Sequence, residues 1–205
     1  MPAVRSERLP ATDARRTRIL DAAERHFAED GYDATPTARI AESAQVPKGL
    51  VFYHFPCKMD LLLALVEERL PVSRRVDLTD VVVPGDAAAT LLGLHERLRL
   101  DREDSLVGRS ILFREASTHP EVTDRLRQLR EELVDRVDEV LAGAVGPEVD
   151  ARLRRGAAGL FTAAMLDRAN AARLGLETDI AGAATVLAAA LGEHPMPHSA
   201  DGSVY

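Results

Sequence analysis

Apolar residues recur every three to four positions along most of this chain, and this spacing predicts α-helices rather than strands. The longest run covers five turns, with Val122, Leu126, Leu129, Leu133, Val137, Val140 and Leu141. Residues 71–85 break the pattern, because prolines, a glycine and three consecutive valines interrupt it. We interpret this stretch as a linker, with an extended part and a domain boundary near it. The spacing predicts an all-α fold of about nine helices.

The composition indicates in which cellular compartment the protein works and whether it crosses a membrane. The single cysteine, Cys57, excludes an intramolecular disulfide and suits a reducing compartment. The chain has no uncharged apolar run long enough to span a membrane, and its first residues lack the apolar core of a secretory signal. We therefore predict a cytoplasmic protein without a membrane partner.

The net charge of −7 is divided unevenly along the chain. Residues 1–58 carry nine Lys and Arg against eight Asp and Glu, a balance of +1. Residues 59–205 carry 17 against 25, a balance of −8. Nucleic acid attracts positive charge, so this division favours the N-terminal segment as the part that would face DNA.

The first helices are short and closely spaced. One helix is predicted from about Asp13 to the residue before Gly31, a typical glycine position after a helix end. A second begins at Thr35-Pro36, with Thr35 as the capping residue. A third follows Val46-Pro47, and a fourth runs from about Lys58 to Leu70. Three helices within about 45 residues, the last two joined by a tight turn, indicate a helix-turn-helix.

The third helix divides into an apolar face and a face that could meet DNA. Val51 and Phe55 lie at positions i and i+4, so they share the inner face. The outer face then contains Lys48, Gly49, Leu50, Phe52 and Tyr53. Gly49 lets the backbone approach the groove, Leu50 could contact a thymine methyl, and Lys48 could reach a guanine. A recognition helix needs this division.

The segment with TARIA at 37–41 and VPKGLVFYHFPCK at 46–58 resembles the DNA-binding segment of the TetR (tetracycline-repressor-like) family. The resemblance covers roughly residues 15–66. It implies that bases are read chiefly by Lys48, Gly49, Leu50 and Tyr53. It also implies phosphate contacts, which set register without reading sequence, from Thr37, Arg39, His54 and Lys58.

Three positions depart from the pattern of that family. Phe52 stands where family members usually have tyrosine, so a hydroxyl contact to phosphate is missing. Gln45 stands where glycine is frequent, and a left-handed conformation there would cost about 1 kcal/mol. Cys57 replaces the usual serine or asparagine before the fourth helix and is a poorer cap.

The resemblance also implies an effector pocket formed by the fifth to seventh predicted helices, which lie at about 86–100, with Asp86 as the cap, at roughly 104–118 and at about 122–141. The candidate pocket residues are His95, Phe113, Arg114, His119, Phe161 and Met165. We expect the three apolar members of this set chiefly in the core, with the pocket lining as the alternative, and the sequence does not show which polar residues point inward.

The eighth and ninth predicted helices, which include residues 153–165 and 180–191, are rich in small residues, which let helices approach closely. Such an apolar surface would be poorly soluble if bare. It fits either close packing within one subunit or a two-fold homodimer, which the resemblance favours. The predicted dimer residues are Ala157, Leu160, Ala164, Ala184, Leu187 and Leu191. A two-fold dimer requires a near-palindromic operator on double-stranded DNA.

These observations predict a flexible arm at 1–12, a helix-turn-helix domain at 13–57, an effector-binding and dimerisation domain at 58–193, and a disordered tail at 194–205. The predicted function is that of a transcription regulator, and specifically of a repressor that an unidentified small molecule releases from its operator. A ligand-independent dimeric or architectural DNA-binding protein and an activator remain alternatives.

No catalytic motif appears, so an enzyme is not predicted. His194 and His198 have a spacing seen in metal sites, but Pro195 and Pro197 prevent the helix that such a site needs. We predict no metal and no cofactor.

Overall fold

The structure is a computed structural model that describes residues 11–70, 76–100, 114–171 and 175–192. Within these ranges it contains helices and no strand, which confirms the all-α fold class. The helices are α1 (Ala11–Asp30), α2 (Thr37–Ser43), α3 (Lys48–His54), α4 (Lys58–Arg69), α5 (Ala87–Leu98), α6 (Pro120–Ala144), α7 (Ala151–Ala171) and α8 (Ile180–Ala190). Residues Thr79–Val81 form a 3-10 turn in the segment that we had expected to be partly extended.

The chain divides into two compact units. The first contains the described residues up to 70 together with 114–128, and the second contains 76–100 and 129–192. Helix α4, which the sequence analysis assigned to the C-terminal domain, lies in the first unit with α1–α3. The functional domains at 13–57 and 58–193 stay predictions.

Helix α1 provides the core of the first unit. Ile19, Ala23 and Phe27, at steps of four, are fully buried. The helix stops at Gly31, whose φ of +90° is easily adopted only by glycine and whose N–H donates to the Phe27 carbonyl at 3.1 Å. The predicted end of this helix is therefore confirmed.

The start of α2 differs from the expectation. Pro36, not Thr35, occupies the capping position, and no side chain caps this helix. The Thr35 hydroxyl instead lies 2.7 Å from the Gly31 carbonyl and 3.2 Å from the His26 carbonyl. The fully buried Thr35 hydroxyl has one proton, which it donates to these carbonyls, chiefly to the nearer one of Gly31, so Thr35 holds the end of α1 rather than the start of α2.

The turn between α2 and α3 is a Schellman motif. The Val46 N–H donates to the Ala41 carbonyl at 3.0 Å, and the Gln45 N–H donates to the Glu42 carbonyl at 3.0 Å. Gln45 has a φ of +55°, which is the left-handed conformation expected at this position. This side chain is exposed, so nothing around it offsets the strain.

We predict that Gln45→Gly raises the free energy of unfolding by about 1 kcal/mol, because glycine adopts positive φ without a Cβ penalty. For a chain of this size the midpoint of thermal unfolding should rise by about 2–4 °C. Calorimetry of both proteins measures the difference. Gln45→Ala, which keeps the Cβ, is the control and should give no increase; a lower midpoint for the glycine variant would contradict the assignment.

The second unit is built on α5, α7 and α8. Asp86 caps α5 by accepting the Ala89 N–H at 2.8 Å, as predicted, and the helix ends at Leu98 rather than Leu100. The buried Thr90 hydroxyl ties the preceding segment to α5 through the Val83 N–H at 2.9 Å. Helix α8 packs on both α5 and α7.

Several predictions fall outside the described residues: most of the arm at 1–12, most of a helix at 104–118, Phe113 and the tail at 194–205. Among the described helices none is by itself long and apolar enough to cross a membrane, and only the bent pair α3–α4 reaches the required length and composition together.

Candidate nucleic-acid interface

Helix α3 has the two faces that its sequence predicts. Val51 is fully buried and Phe55 nearly so. On the opposite side Tyr53 is 75% exposed and Phe52 is 41% exposed, although both are large aromatic residues. Exposed aromatic side chains on a short helix that is anchored from behind form a surface suited to contact a partner.

The N-terminal part of α3 is also open to solvent. Lys48 is exposed, and its Nζ lies 5.8 Å from the centre of the Phe52 ring. A Cβ added to Gly49 would meet no atom within 4 Å, so the backbone here has free space in front of it. Leu50 is half-buried. Lys48, Gly49, Phe52 and Tyr53 therefore present one exposed surface, which we call the α3 face.

His54 lies at the edge of this face and is half-buried. Its ring meets that of Tyr53 edge-to-face, with 5.2 Å between centres. The Nε2 atom is buried without a hydrogen-bond partner. The predicted phosphate contact from His54 would thus have to use its other ring nitrogen or a different rotamer.

The two residues of α2 that are predicted to contact phosphate differ in their surroundings. Arg39 is exposed, but its Nη1 lies 2.7 Å from Oδ2 of Asp30 at the end of α1. A phosphate contact from Arg39 would have to share or replace this carboxylate. Thr37 is half-buried in the first turn of α2, and its backbone position there fits a phosphate contact.

Lys58 is packed onto the loop that follows α1. Its Nζ donates to the Asp33 carbonyl at 3.2 Å and lies 4.4 Å from the centre of the Tyr32 ring. Burial lowers the pKa of Lys58, and the carboxylates of Asp33 and Glu115 oppose that shift. An ammonium group has three donors, so the bond to Asp33 leaves two for a phosphate.

Arg16, which the sequence analysis missed, supports the α3 face. The Arg16 guanidinium lies 5.0 Å from the centre of the Phe55 ring and pairs with Glu68. Arg16 therefore covers the aromatic anchor of α3 from the side of α1. Arg16 and Phe55 lie far apart in the sequence, so the sequence gives no sign that the two side chains are in contact.

The residues matched by a family model coincide with this arrangement. The model for bacterial regulatory proteins of the tetR family matches residues 19–65, from α1 through α4. The HTH-type transcriptional repressor Rv1474c of Mycobacterium tuberculosis is 34% identical over 142 residues, which cover 64% of this chain and 73% of that protein. The chain belongs to the tetR family.

A second curated relative and two solved structures extend the likeness of this tetR-family chain. The HTH-type transcriptional activator FasR of Mycolicibacterium smegmatis is 31% identical over 166 residues, 76% of this chain and 71% of that protein. A SmeT–triclosan complex has a TM-score of 0.66 at 24% identity, covering 86% of this chain and 91% of that one. A TetR transcription regulator from Haloarcula marismortui has a TM-score of 0.60 at 22% identity, covering 88% and 97%. At these identities the structures show the fold.

Two of the predicted effector residues lie in the first unit of the tetR-family chain, beside the end of α1. Arg114 donates to the Phe27 carbonyl. The neighbouring buried Glu115 accepts the Tyr32 N–H at 3.3 Å, and the His119 ring meets the Tyr32 ring edge-to-face at 4.7 Å between centres. These contacts hold the loop after α1. They give Arg114 and His119 a positioning role that the sequence analysis did not foresee.

The other described candidates for the pocket lie in the second unit. His95 is on the wall of an open cavity of about 580 Å³, together with Glu96, Arg168 and Asp179. Phe161 and Met165 are fully buried in the packing of α7, so the structure places them in the core, which was one of the two expectations.

The predicted dimer residues are also mostly inside the subunit. Ala157, Ala184, Leu187 and Leu191 are buried within one chain, Ala164 is half-buried, and Leu160 is 64% exposed. Packing within the second unit leaves these four residues little exposed surface. The exposed large apolar side chains of α7 and α8 are instead Leu153, Leu160 and Val186.

Proposed function

We propose that this tetR-family chain binds double-stranded DNA through the α3 face and represses transcription as a homodimer in the cytoplasm. The observation that carries the proposal is the division of α3: Val51 and Phe55 fix the helix from behind, while Lys48 and Tyr53 are open to a partner. An α-helix fits the major groove of B-DNA, where its outward side chains reach base edges.

Repression rather than activation is supported by two curated relatives. Rv1474c and the AcnR protein of Corynebacterium diphtheriae, which is 40% identical over 68 residues, are both named repressors. FasR, which is named an activator, matches a larger share of this chain than either repressor does. Activation is therefore the second candidate function. A reporter gene placed behind the operator distinguishes the two by the sign of the change on deleting the regulator.

The DNA-binding function is tested by selecting bound duplexes from a random pool. Two copies of α3 related by a two-fold axis would meet half-sites about one helical turn apart, so we expect an inverted repeat. Enrichment of a non-repeated motif would contradict the dimer, and no enrichment would contradict sequence-specific binding.

Lys58→Ala should weaken binding to all duplexes alike, because the resemblance assigns Lys58 to a phosphate, and phosphate contacts do not read sequence. The slope of log affinity against log salt should fall by about one. Titrations at several salt concentrations, with the selected operator and with an unrelated duplex, measure both effects. An altered sequence preference would contradict the phosphate assignment.

The dimer surface follows the exposed apolar residues rather than those first predicted. Leu153, Gly156 and Leu160 repeat at steps of three and four on α7, and Val186, 68% exposed, lies on the adjacent α8. The exposed apolar area on these packed helices suits a second copy of the same surface, as a two-fold axis requires.

Leu160→Glu should therefore convert the dimer to a monomer, because it buries an unpaired carboxylate in an apolar interface. Light scattering after size-exclusion chromatography measures the mass. Val83→Glu, which places the same charge on an exposed valine of the second unit outside α7 and α8, is the control and should leave the dimer intact. A dimeric Leu160→Glu protein would contradict this interface.

A small-molecule effector is the remaining part of the proposal. The second unit carries open cavities of about 450 and 580 Å³, a size range typical of ligand pockets, and this favours an effector over a body that only dimerises. Related folds have been solved with triclosan on SmeT and malachite green on EbrR. A compound that raises the thermal midpoint should also release the selected operator; stabilisation without release would favour the ligand-independent alternative.

A further inference from the structure

We propose that the last turn of α1 contains a binding site for a divalent transition-metal ion, formed by His26, Glu29 and Asp30. One ligand atom from each of these side chains lies within 4.8 Å of the others. Atoms bonded to one Zn²⁺ at about 2.0–2.2 Å lie roughly 3–3.5 Å apart. Glu29 and Asp30 are exposed, so small rotations of their side chains bring the three atoms to that separation.

His26 supplies the observation that separates this group from an ordinary acidic cluster. The residue is only 8% exposed, and its Nδ1 is buried without a hydrogen-bond partner. The nearest carboxylate oxygen, Oδ2 of Asp30, is 3.8 Å away, which is too far for a hydrogen bond. A buried imidazole nitrogen without a partner and facing carboxylates is a position that a cation would satisfy.

The other ring nitrogen of His26 is held from α2. Nε2 lies 2.7 Å from the Ser43 hydroxyl oxygen. When Nε2 carries the proton and donates it to that oxygen, Nδ1 is unprotonated and lies 3.8 Å from Oδ2 of Asp30. Histidine ligands in metal sites are commonly fixed in this way by a bond from the nitrogen that does not touch the metal.

The negative groups at this end of α1 are partly offset by the guanidinium groups of Arg39 on Asp30 and Arg114 on the Phe27 carbonyl. The group combines two carboxylates with a helix C-terminus, where backbone carbonyls carry partial negative charge. The last turn of α1 contains no basic residue. One imidazole and two carboxylates form a nitrogen and oxygen ligand set that suits ions such as Zn²⁺, Co²⁺ or Mn²⁺.

Arg39 is the competitor for this site. Its Nη1 lies 2.7 Å from the same Asp30 oxygen that faces His26. A bound ion takes Asp30 from Arg39, which is one of the residues predicted to contact phosphate. The site itself does not depend on the proposed function, because it can be tested without DNA.

Titration of the untagged full chain with Co²⁺, followed by calorimetry and by visible absorption, tests the site. The background protein carries His194→Ala, His198→Ala and Cys57→Ser, which remove the other histidine pair and the exposed thiol. We expect one ion per chain, and we expect Glu29→Gln and His26→Gln each to weaken binding by at least about tenfold.

Two further variants make the result specific. Glu42→Gln removes an exposed carboxylate of α2 outside the cluster and should leave the affinity unchanged. Arg39→Ala removes the competitor and should tighten binding by up to about fivefold, the range of an exposed ion pair. An affinity that stays within about twofold in Glu29→Gln, an exposed substitution that leaves the core intact, would overturn the proposal, as would the absence of binding by the background protein.

Discussion

Phe55→Ala should lower the free energy of unfolding by about 3–5 kcal/mol, the range observed when a buried phenylalanine is truncated. Phe55 is buried behind α3, and the Arg16 guanidinium packs on its ring. The substitution therefore leaves a cavity and removes the surface that supports α3. Denaturant unfolding measures the loss of stability, and operator binding should be lost together with it at temperatures where the unit unfolds.

Phe52→Ala is the matched control, because it removes the same side chain three positions earlier on the exposed face. With 41% of Phe52 exposed, stability should change by no more than about 0.5 kcal/mol. Equal losses of stability in the two variants would show that α3 is not anchored by one face. Such a result would contradict the arrangement from which the α3 face is defined.

Lys48→Ala should weaken binding to the selected operator by about 1–3 kcal/mol for each half-site, which is on the order of tenfold to a hundredfold. Lys48 is exposed at the start of α3, and an ammonium group there can reach guanine acceptors in the major groove. Affinity for an unrelated duplex should fall much less. Titration of both duplexes at one salt concentration measures the difference.

Arg127→Ala is the control for loss of a positive charge. Arg127 is exposed on α6 in the first unit, is not part of the α3 face, and pairs with Asp124. It should change affinity for both duplexes equally and slightly. If Lys48→Ala behaved like Arg127→Ala, Lys48 would have no part in reading the operator.

The sequence predicted the helices and the face of α3 because both follow from local spacing. Val51 and Phe55 share a face of any helix in which they stand four apart, whatever surrounds it. Gly31 and Gln45 likewise mark turns whose backbone conformation is decided within a few residues. These features can therefore be predicted from the sequence alone.

The contacts that the sequence did not predict join residues from different helices. The pairing of Arg39 with Asp30 and that of His26 with Ser43 depend on how α2 crosses α1. The alanine-rich helices show the same limit, because a small residue fits equally well between helices of one chain or of two. Ala157 and Ala184 are buried within the single chain, and their place at a dimer surface stays a prediction.

The effector residues illustrate another limit of prediction from sequence. Arg114 and His119 were selected as polar side chains in a helical body, without knowledge of what each one faces. In the structure Arg114 donates to the Phe27 carbonyl and to the buried Glu115 carboxylate, and His119 contacts the Tyr32 ring. Polar residue type alone does not separate a ligand contact from such a structural one.

Directed cleavage of the selected operator from Cys57 tests most directly whether α3 lies on the DNA. Cys57 is the single cysteine, is exposed, and directly follows the α3 segment at the start of α4, so a cleaving chelate can be attached there alone. The arrangement predicts two clusters of cuts, one in each half-site and about one helical turn apart. Cuts spread evenly along the duplex, or confined to DNA outside the inverted repeat, would contradict it.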